Sequence, residues 1–241
     1  MPPADAGFDY QLGGSYRLPP AVRVVTRART SAPAPGAYNI CYVNGFQTQP
    51  GRLDWWRGHH GALLLRDRRG ALVRDPGWPA EVLLDVSSPR KRRHVAAVVG
   101  GWTQRCADDG FDAVEPDNLD SFTRSRHLLS RSDNLALADL LADRAHGAGL
   151  AIAQKNLAAV TRRMRHRIGF DFAVSEECSV WDECASYRAA YGRHVLEIEY
   201  TDNGRRPFAR VCRRHGDEWS IVLRDRMLQP PTSPRYVYDR C

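Results

Sequence analysis

The sequence predicts an α/β fold, a single (β/α)8 TIM barrel, and three observations lead there. Short runs rich in β-branched and aromatic residues recur eight times at intervals compatible with strand–helix units; this is the pattern of a parallel sheet. The length of 241 residues is close to the ~250 typical of one such barrel. Four of the runs give way abruptly to acid, amide or lysine, and barrels carry their reacting groups at strand C-terminal ends.

Taken in order, Phe8 to Leu12 and Val22 to Thr26 open the series, and the loop-forming APAPG at 32–36 precedes the third run, Asn39 to Asn44. A further apolar run, Val82 to Val86, falls before the fourth strand, Asp112 to Pro116, and is expected as an accessory strand or edge. Asp133 to Gly149 then carries Leu135, Ala138, Leu141, Ala142 and Ala145 at helical spacing. This stretch starts on SDN, a cap candidate, and stops at Gly147 and Gly149, so it reads as a helix. Leu150 to Lys155, Phe172 to Glu176, His194 to Tyr200 and Ser220 to Arg224 complete the eight, before a proline-rich loop at 229–234. No repeat, flexible linker or charge block divides residues 1–241, so one domain is expected.

With 43% hydrophobic and 26% charged residues, the chain has an ordinary globular composition. Its apolar stretches fall far short of the roughly 20 residues that cross a bilayer, so no membrane partner is expected. The first 20 residues lack the basic start and apolar run of a signal peptide; an export signal, if the protein has one, lies outside this sequence. The net charge of +7 comes mainly from arginines in RDRR (66–69), PRKRRH (89–94) and TRRMRHR (161–167). They lack interleaved aromatics or a known DNA or RNA motif, which favours solvated helix faces over nucleic-acid binding.

The cysteines number six. Cys178 and Cys184 lie close together in the loop-like ECSVWDEC, where a local disulfide is expected, consistent with an oxidising, secreted setting. The partners of Cys41, Cys106, Cys212 and Cys241 stay open, a Cys212–Cys241 staple on the tail being one option. Neither CxxC pairs nor histidine pairs at ligand spacing occur, so no metal site is expected.

The four polar strand ends are NICYVNGFQTQ, FDAVEPDNLD, LAIAQKN and FDFAVSEEC. Asp117 and Glu176 are separated by about two strand–helix units of roughly 30 residues each, so both project into one barrel mouth. Two carboxylates on one cleft suit glycosidic cleavage: one protonates the leaving oxygen and the other attacks the sugar or activates water. Lys155 and Asn156, on the strand between them, are positioned to hold sugar hydroxyls, and a cation there favours ionised Asp117. Trp55, Trp56, Trp78 and Trp102 lie between the third and fourth strands, as core residues or as sugar-stacking indoles. There is no GxSxG elbow, no phosphate-binding GxxxxGK[ST] and no GxGxxG after a strand.

GFDAVEPDNLDSF, GLAIAQKN, FDFAVSEECSVWDEC and the opening FDYQL resemble, in order and over nearly the whole chain, the endo-α-1,4-polygalactosaminidases of glycoside hydrolase family 114. The resemblance implies a (β/α)8 barrel with Asp117 and Glu176 as catalytic pair. By analogy with related barrels, Asp117 is nucleophile and Glu176 acid/base, with retention of configuration. It further implies that Gln11, Tyr42, Asn118 and Lys155 contact substrate and that Cys178 and Cys184 are bonded; Asn44, Asn156 and Glu177 are expected as substrate-binding residues beside them, and no cofactor is expected. SEEC departs from the family pattern, so Glu177 stands beside Glu176 as an alternative; YVNGFQTQ departs after the third strand.

The expected activity is endo-acting hydrolysis of α-1,4-linked galactosamine- or N-acetylgalactosamine-containing polysaccharide by a secreted monomer. A barrel that binds glycan without cleaving it is the alternative. A +7 protein repels a cationic, deacetylated polymer, which favours an acetylated, neutral or partly anionic glycan unless the cleft itself is acidic.

Overall fold

The computed structural model describes residues 1–241. Eight parallel strands run in sequence order: β1 (Gly7–Gln11), β2 (Val22–Ala28), β3 (Tyr38–Asn44), β4 (Ala113–Asp117), β5 (Ala151–Lys155), β6 (Phe172–Glu176), β7 (Val195–Tyr200) and β8 (Ser220–Arg224). A ninth, β9 (Tyr238–Arg240), lies antiparallel on β8. The six α-helices are α1 (Leu53–His60), α2 (Pro89–Asp108), α3 (Arg131–Gly147), α4 (Arg162–Ile168), α5 (Cys184–Tyr191) and α6 (Arg206–His215). The result is a nearly closed barrel of the TIM type. No helix is long and apolar enough to cross a membrane.

All eight expected strands are present, within a residue or two at each end. The connections after β1 and β2 carry no helix: LGGSYRLPP and TSAPAPG are short and rich in glycine and proline, which withhold helical backbone and hydrogen-bond donors. The helix expected at 133–149 starts two residues earlier, because Ser130 caps it through a reciprocal box with Asp133. Val82 to Leu84 bridges antiparallel to Gln47, Leu64 and Arg74. It therefore belongs to a small ribbon in the β3–α2 insertion, outside the barrel sheet, which makes it the accessory element the sequence predicts.

Strand alternation divides the apolar residues into two cores. Phe8, Tyr10, Ile40, Ala113, Ala153, Phe172, Val174, Leu196, Ile198, Tyr200 and Val222 fill the barrel. Val43, Val114, Ile152, Ala173, Val195 and Ile221 face outward onto the helices. The same parity decides the site. Glu115 and Asp117 follow Ala113 inward, Lys155 follows Ala153, Glu176 follows Val174, and Tyr42 follows Ile40.

The seam between β8 and β1 is closed by side chains. Fully buried Arg224 donates to the Asp9 carboxylate (2.6 Å) and the Tyr10 carbonyl (2.5 Å), and the Tyr238 hydroxyl donates to the Phe8 carbonyl (3.1 Å). Disulfides join Cys41 to Cys106, Cys178 to Cys184 and Cys212 to Cys241. The first pins α2 on β3, and the third ties the tail carrying β9 to α6.

Candidate active site

The C-terminal ends of the strands open into a cleft of about 590 Å³. At its floor the Lys155 ammonium, buried to 2% exposure, lies 2.9 Å from the Tyr10 hydroxyl, 3.0 Å from Glu115, 3.1 Å from Asp117 and 3.3 Å from Glu176. Burial works against the ammonium, but these neighbours outweigh it and hold Lys155 well above the ordinary lysine range. An ammonium has three hydrogens for four acceptors, so the carboxylates compete for it.

Asp117 also accepts from the Tyr42 hydroxyl (2.6 Å). Burial disfavours its charge, but Lys155, Tyr42 and the Asn118 backbone N–H prevail and hold its carboxyl below the usual range. Glu176 accepts from the Tyr200 hydroxyl (2.5 Å) and the Asn156 amide (2.9 Å), while Asn156 Oδ1 accepts from the Glu176 N–H (2.8 Å). Burial, then the facing carboxylates, raise the Tyr42 and Tyr200 hydroxyls well above the ordinary phenol value, so both stay donors. Under Lys155, burial pushes Glu115 up to about 7 against the pull of the ammonium and the Tyr10 hydroxyl.

The residue after β4, β5 and β6 has left-handed backbone: Asn118 (φ 69°), Asn156 (φ 50°) and Glu177 (φ 62°). Asparagine tolerates this region and glutamate does so rarely. Such strain persists where surrounding structure enforces it, and functional sites are its usual location. Here it ends each strand sharply, so that Asp117, Lys155 and Glu176 are the last inward side chains.

The structure brings Asp117, Glu176, Lys155, Asn118, Asn156 and Tyr42 to the cleft. Asn44 sits just behind it, accepting from Asn118 (3.0 Å) and donating to Glu81 (2.9 Å). Glu177 turns away to Arg226 and Asn203, so Glu176 alone of the pair faces the opening. Gln11 is not brought there: one residue past inward Tyr10, it points outward, fully buried, and accepts from Arg27 (2.9 Å). A direct substrate contact for Gln11 does not fit that position.

Inward parity on their strands would have found Glu115, Tyr10 and Tyr200. Asp75, Glu81 and Arg124 enter from the β3–α2 insertion and the β4 loop, and no local pattern marks them. Arg124 binds Asp75 (2.7 Å), Asn118 (3.0 Å) and Asp120 (2.9 Å). Burial raises Glu81 to about 7, against the hydrogen bond from Asn44. Five acids line the cleft (Asp75, Glu81, Asp117, Asp120 and Glu176) against Arg124, Lys155 and Arg226. The cleft is thus acidic within a chain of net charge +7, which removes the objection to a cationic glycan.

Acidic groups around a buried cation at the strand C-terminal ends occupy the place where barrel enzymes carry their chemistry, and comparison with known families assigns the class. The model of glycoside-hydrolase family GH114 matches residues 1–241; the chain belongs to that family and is a glycosidase. Its fold is similar to that of Ega3 from Aspergillus fumigatus, crystallised with galactosamine: TM-score 0.78, 20% identity, covering 100% of this chain and 97% of that one. It is also similar to the glycoside hydrolase domain of PelA from Pseudomonas aeruginosa, with TM-score 0.61, 15% identity and 96% of each chain covered. No curated protein matches the sequence.

Proposed function

We propose that this protein is a secreted, endo-acting, retaining hydrolase of α-1,4-linked galactosamine- and N-acetylgalactosamine-containing polysaccharide. The observation that carries this reading is the sharing of one buried ammonium by Asp117 and Glu176 at the floor of an acidic cleft. One oxygen of Asp117 lies 3.1 Å and one of Glu176 3.3 Å from the Lys155 ammonium. Carboxylates that meet at one ammonium are close enough to act on one glycosidic bond.

In the proposed cycle Glu176 protonates the glycosidic oxygen as Asp117 attacks the anomeric carbon. The leaving chain departs as an alcohol and a glycosyl ester forms on Asp117. Glu176, now a carboxylate, takes a proton from water, which attacks the same carbon and frees Asp117 with net retention. Asp117 suits the nucleophile role because Lys155 and Tyr42 keep it ionised. The acidic lining suits a substrate bearing ammonium groups, in keeping with the galactosamine bound by Ega3. The three disulfides favour an oxidising, extracellular setting.

The test is oligosaccharide release from partly N-acetylated α-1,4-galactosamine polymer. Asp117→Asn and Glu176→Gln should each lower the rate by about 10³-fold or more. Azide should rescue Asp117→Gly and give a product of inverted configuration. No release by wild type, with galactosamine oligomers still bound, would overturn catalysis in favour of a binding barrel.

A further inference from the structure

The four tryptophans between β3 and β4 have different surroundings. Trp56 and Trp102 are buried, and Trp55 packs partly buried against both. Trp78 is 47% exposed and lines the cleft. The turn that carries it is hydrogen-bonded: Asp75 Oδ1 accepts from the backbone N–H groups of Gly77 (2.8 Å) and Trp78 (3.2 Å), and the Trp78 carbonyl accepts from the Glu81 N–H (2.8 Å). Asp75 is itself fixed by Gln47 (2.8 Å) and Arg124 (2.7 Å), and Arg124 reaches Asn118 beside Asp117. A hydrogen-bonded chain therefore runs from the strand-four end to the turn that presents the indole.

We propose that Trp78 is a stacking platform for a sugar ring remote from the cleaved bond, selective for galacto-configured amino sugars. This rests on the function proposed above. In a galacto-configured ring the hydrogens on carbons 3, 4 and 5 lie on one face and form an apolar patch that matches an indole. In a gluco-configured ring the hydrogen on carbon 4 lies on the other face, and the patch is broken. An ammonium at carbon 2 adds electrostatic attraction to the indole face. Stacking loses less conformational entropy when the backbone that presents the aromatic is held in advance, and the Asp75 turn holds the Trp78 backbone.

The second exposed tryptophan is an internal control. Trp181, at 67% exposure in the Cys178–Cys184 loop, lies outside the cleft lining. The experiment titrates α-1,4-galactosamine oligomers of graded length, and chitosan oligomers of the same lengths, into the Asp117→Asn protein by calorimetry. Steady-state kinetics on polymer are run in the active background. Trp78→Ala should weaken the longer galactosamine oligomers about 10-fold, a factor equal to about 1.4 kcal/mol, and raise KM with little change in kcat. Monosaccharide binding should be unchanged, Trp78→Phe should recover most of the loss, and Trp181→Ala should match the parent. The parent should prefer galactosamine over chitosan oligomers, and Trp78→Ala should narrow that preference. Parent-like affinity and KM in Trp78→Ala, with parent and wild type binding and cleaving normally, would overturn the platform alone. A parent that binds no galactosamine oligomer would overturn both the platform and the substrate reading.

Discussion

Glu115 and Glu197 are both fully buried glutamates of one barrel, yet they sit in opposite surroundings. Glu115 faces inward beneath the cleft, where a buried ammonium and a tyrosine hydroxyl meet its Oε1. Glu197 faces outward on β7 next to Glu199, with no lysine or arginine bonded to either. Their carboxyls instead accept from the Cys178 N–H (2.8 Å) and the Ser179 N–H (3.0 Å). Burial, then the charge of Glu199, pushes Glu197 well above the carboxylate range, and burial pushes Glu199 up to about 7. Cys178 approaches the same two carboxyls, but its sulfur is held in a disulfide. The inner group can share charge with Asp117 and Glu176 through Lys155, whereas the outer pair is bonded to backbone N–H groups and fastens the loop after β6. Residue type does not separate the two roles; the presence of a cation does.

The largest test of that contrast removes the cation. Lys155→Met should abolish activity, and by stranding three carboxyls it should cost about 3–5 kcal/mol, lowering Tm by about 10 °C at 2–4 °C per kcal/mol for a chain of this size. An inactive variant that melts like wild type would show that the ammonium serves chemistry without holding the inner cluster together.

A smaller effect is expected at Glu115. Its folded value near 7 against an ordinary 4.5 means that the native state keeps a proton the unfolded chain has released. That contribution is full below about pH 4.5 and is lost as pH rises through 7. Glu115→Gln should flatten the fall of Tm across this window and displace the pH profile of kcat/KM, with activity reduced about tenfold. An unchanged pH profile would confine Glu115 to packing.

The smallest effect is expected on the outer face. Burial and the charge of Glu199 push Glu197 toward its neutral form, so Glu197→Gln should keep the Cys178 contact and leave kcat/KM within about twofold, while altering the pH dependence of Tm near 7, where Glu199 titrates. A loss of activity as large as that of Glu115→Gln would erase the distinction between the two regions.

Much of the inner site was legible because a strand makes its own pattern. Ala153 two places before Lys155 and Val174 two places before Glu176 share a face with them, and Ala113 shares one with Glu115 and Asp117, so a polar residue at the strand end already implies a mouth-facing group. The same rule, applied fully, excludes Gln11 and includes Tyr10, Glu115 and Tyr200. It fails for Glu81, Asp75 and Trp78, because the β3–α2 insertion is held by isolated bridges and side-chain hydrogen bonds with no period of their own. The choice between Glu176 and Glu177 was equally beyond local pattern, because it depends on Arg226 and Asn203 drawing Glu177 aside.

By itself the sequence determined the eight strands, the α3 helix, the Cys178–Cys184 pairing and the polar strand ends, since these follow from alternation, helical spacing and short chain separation. Tertiary structure alone decided the closure of the β8–β1 seam by Arg224 and β9, the pairing of the distant cysteines, and the acidity of a cleft in a basic protein. Those features depend on which surfaces meet, and residues as distant in sequence as Asp9 and Arg224 become neighbours only when the barrel closes.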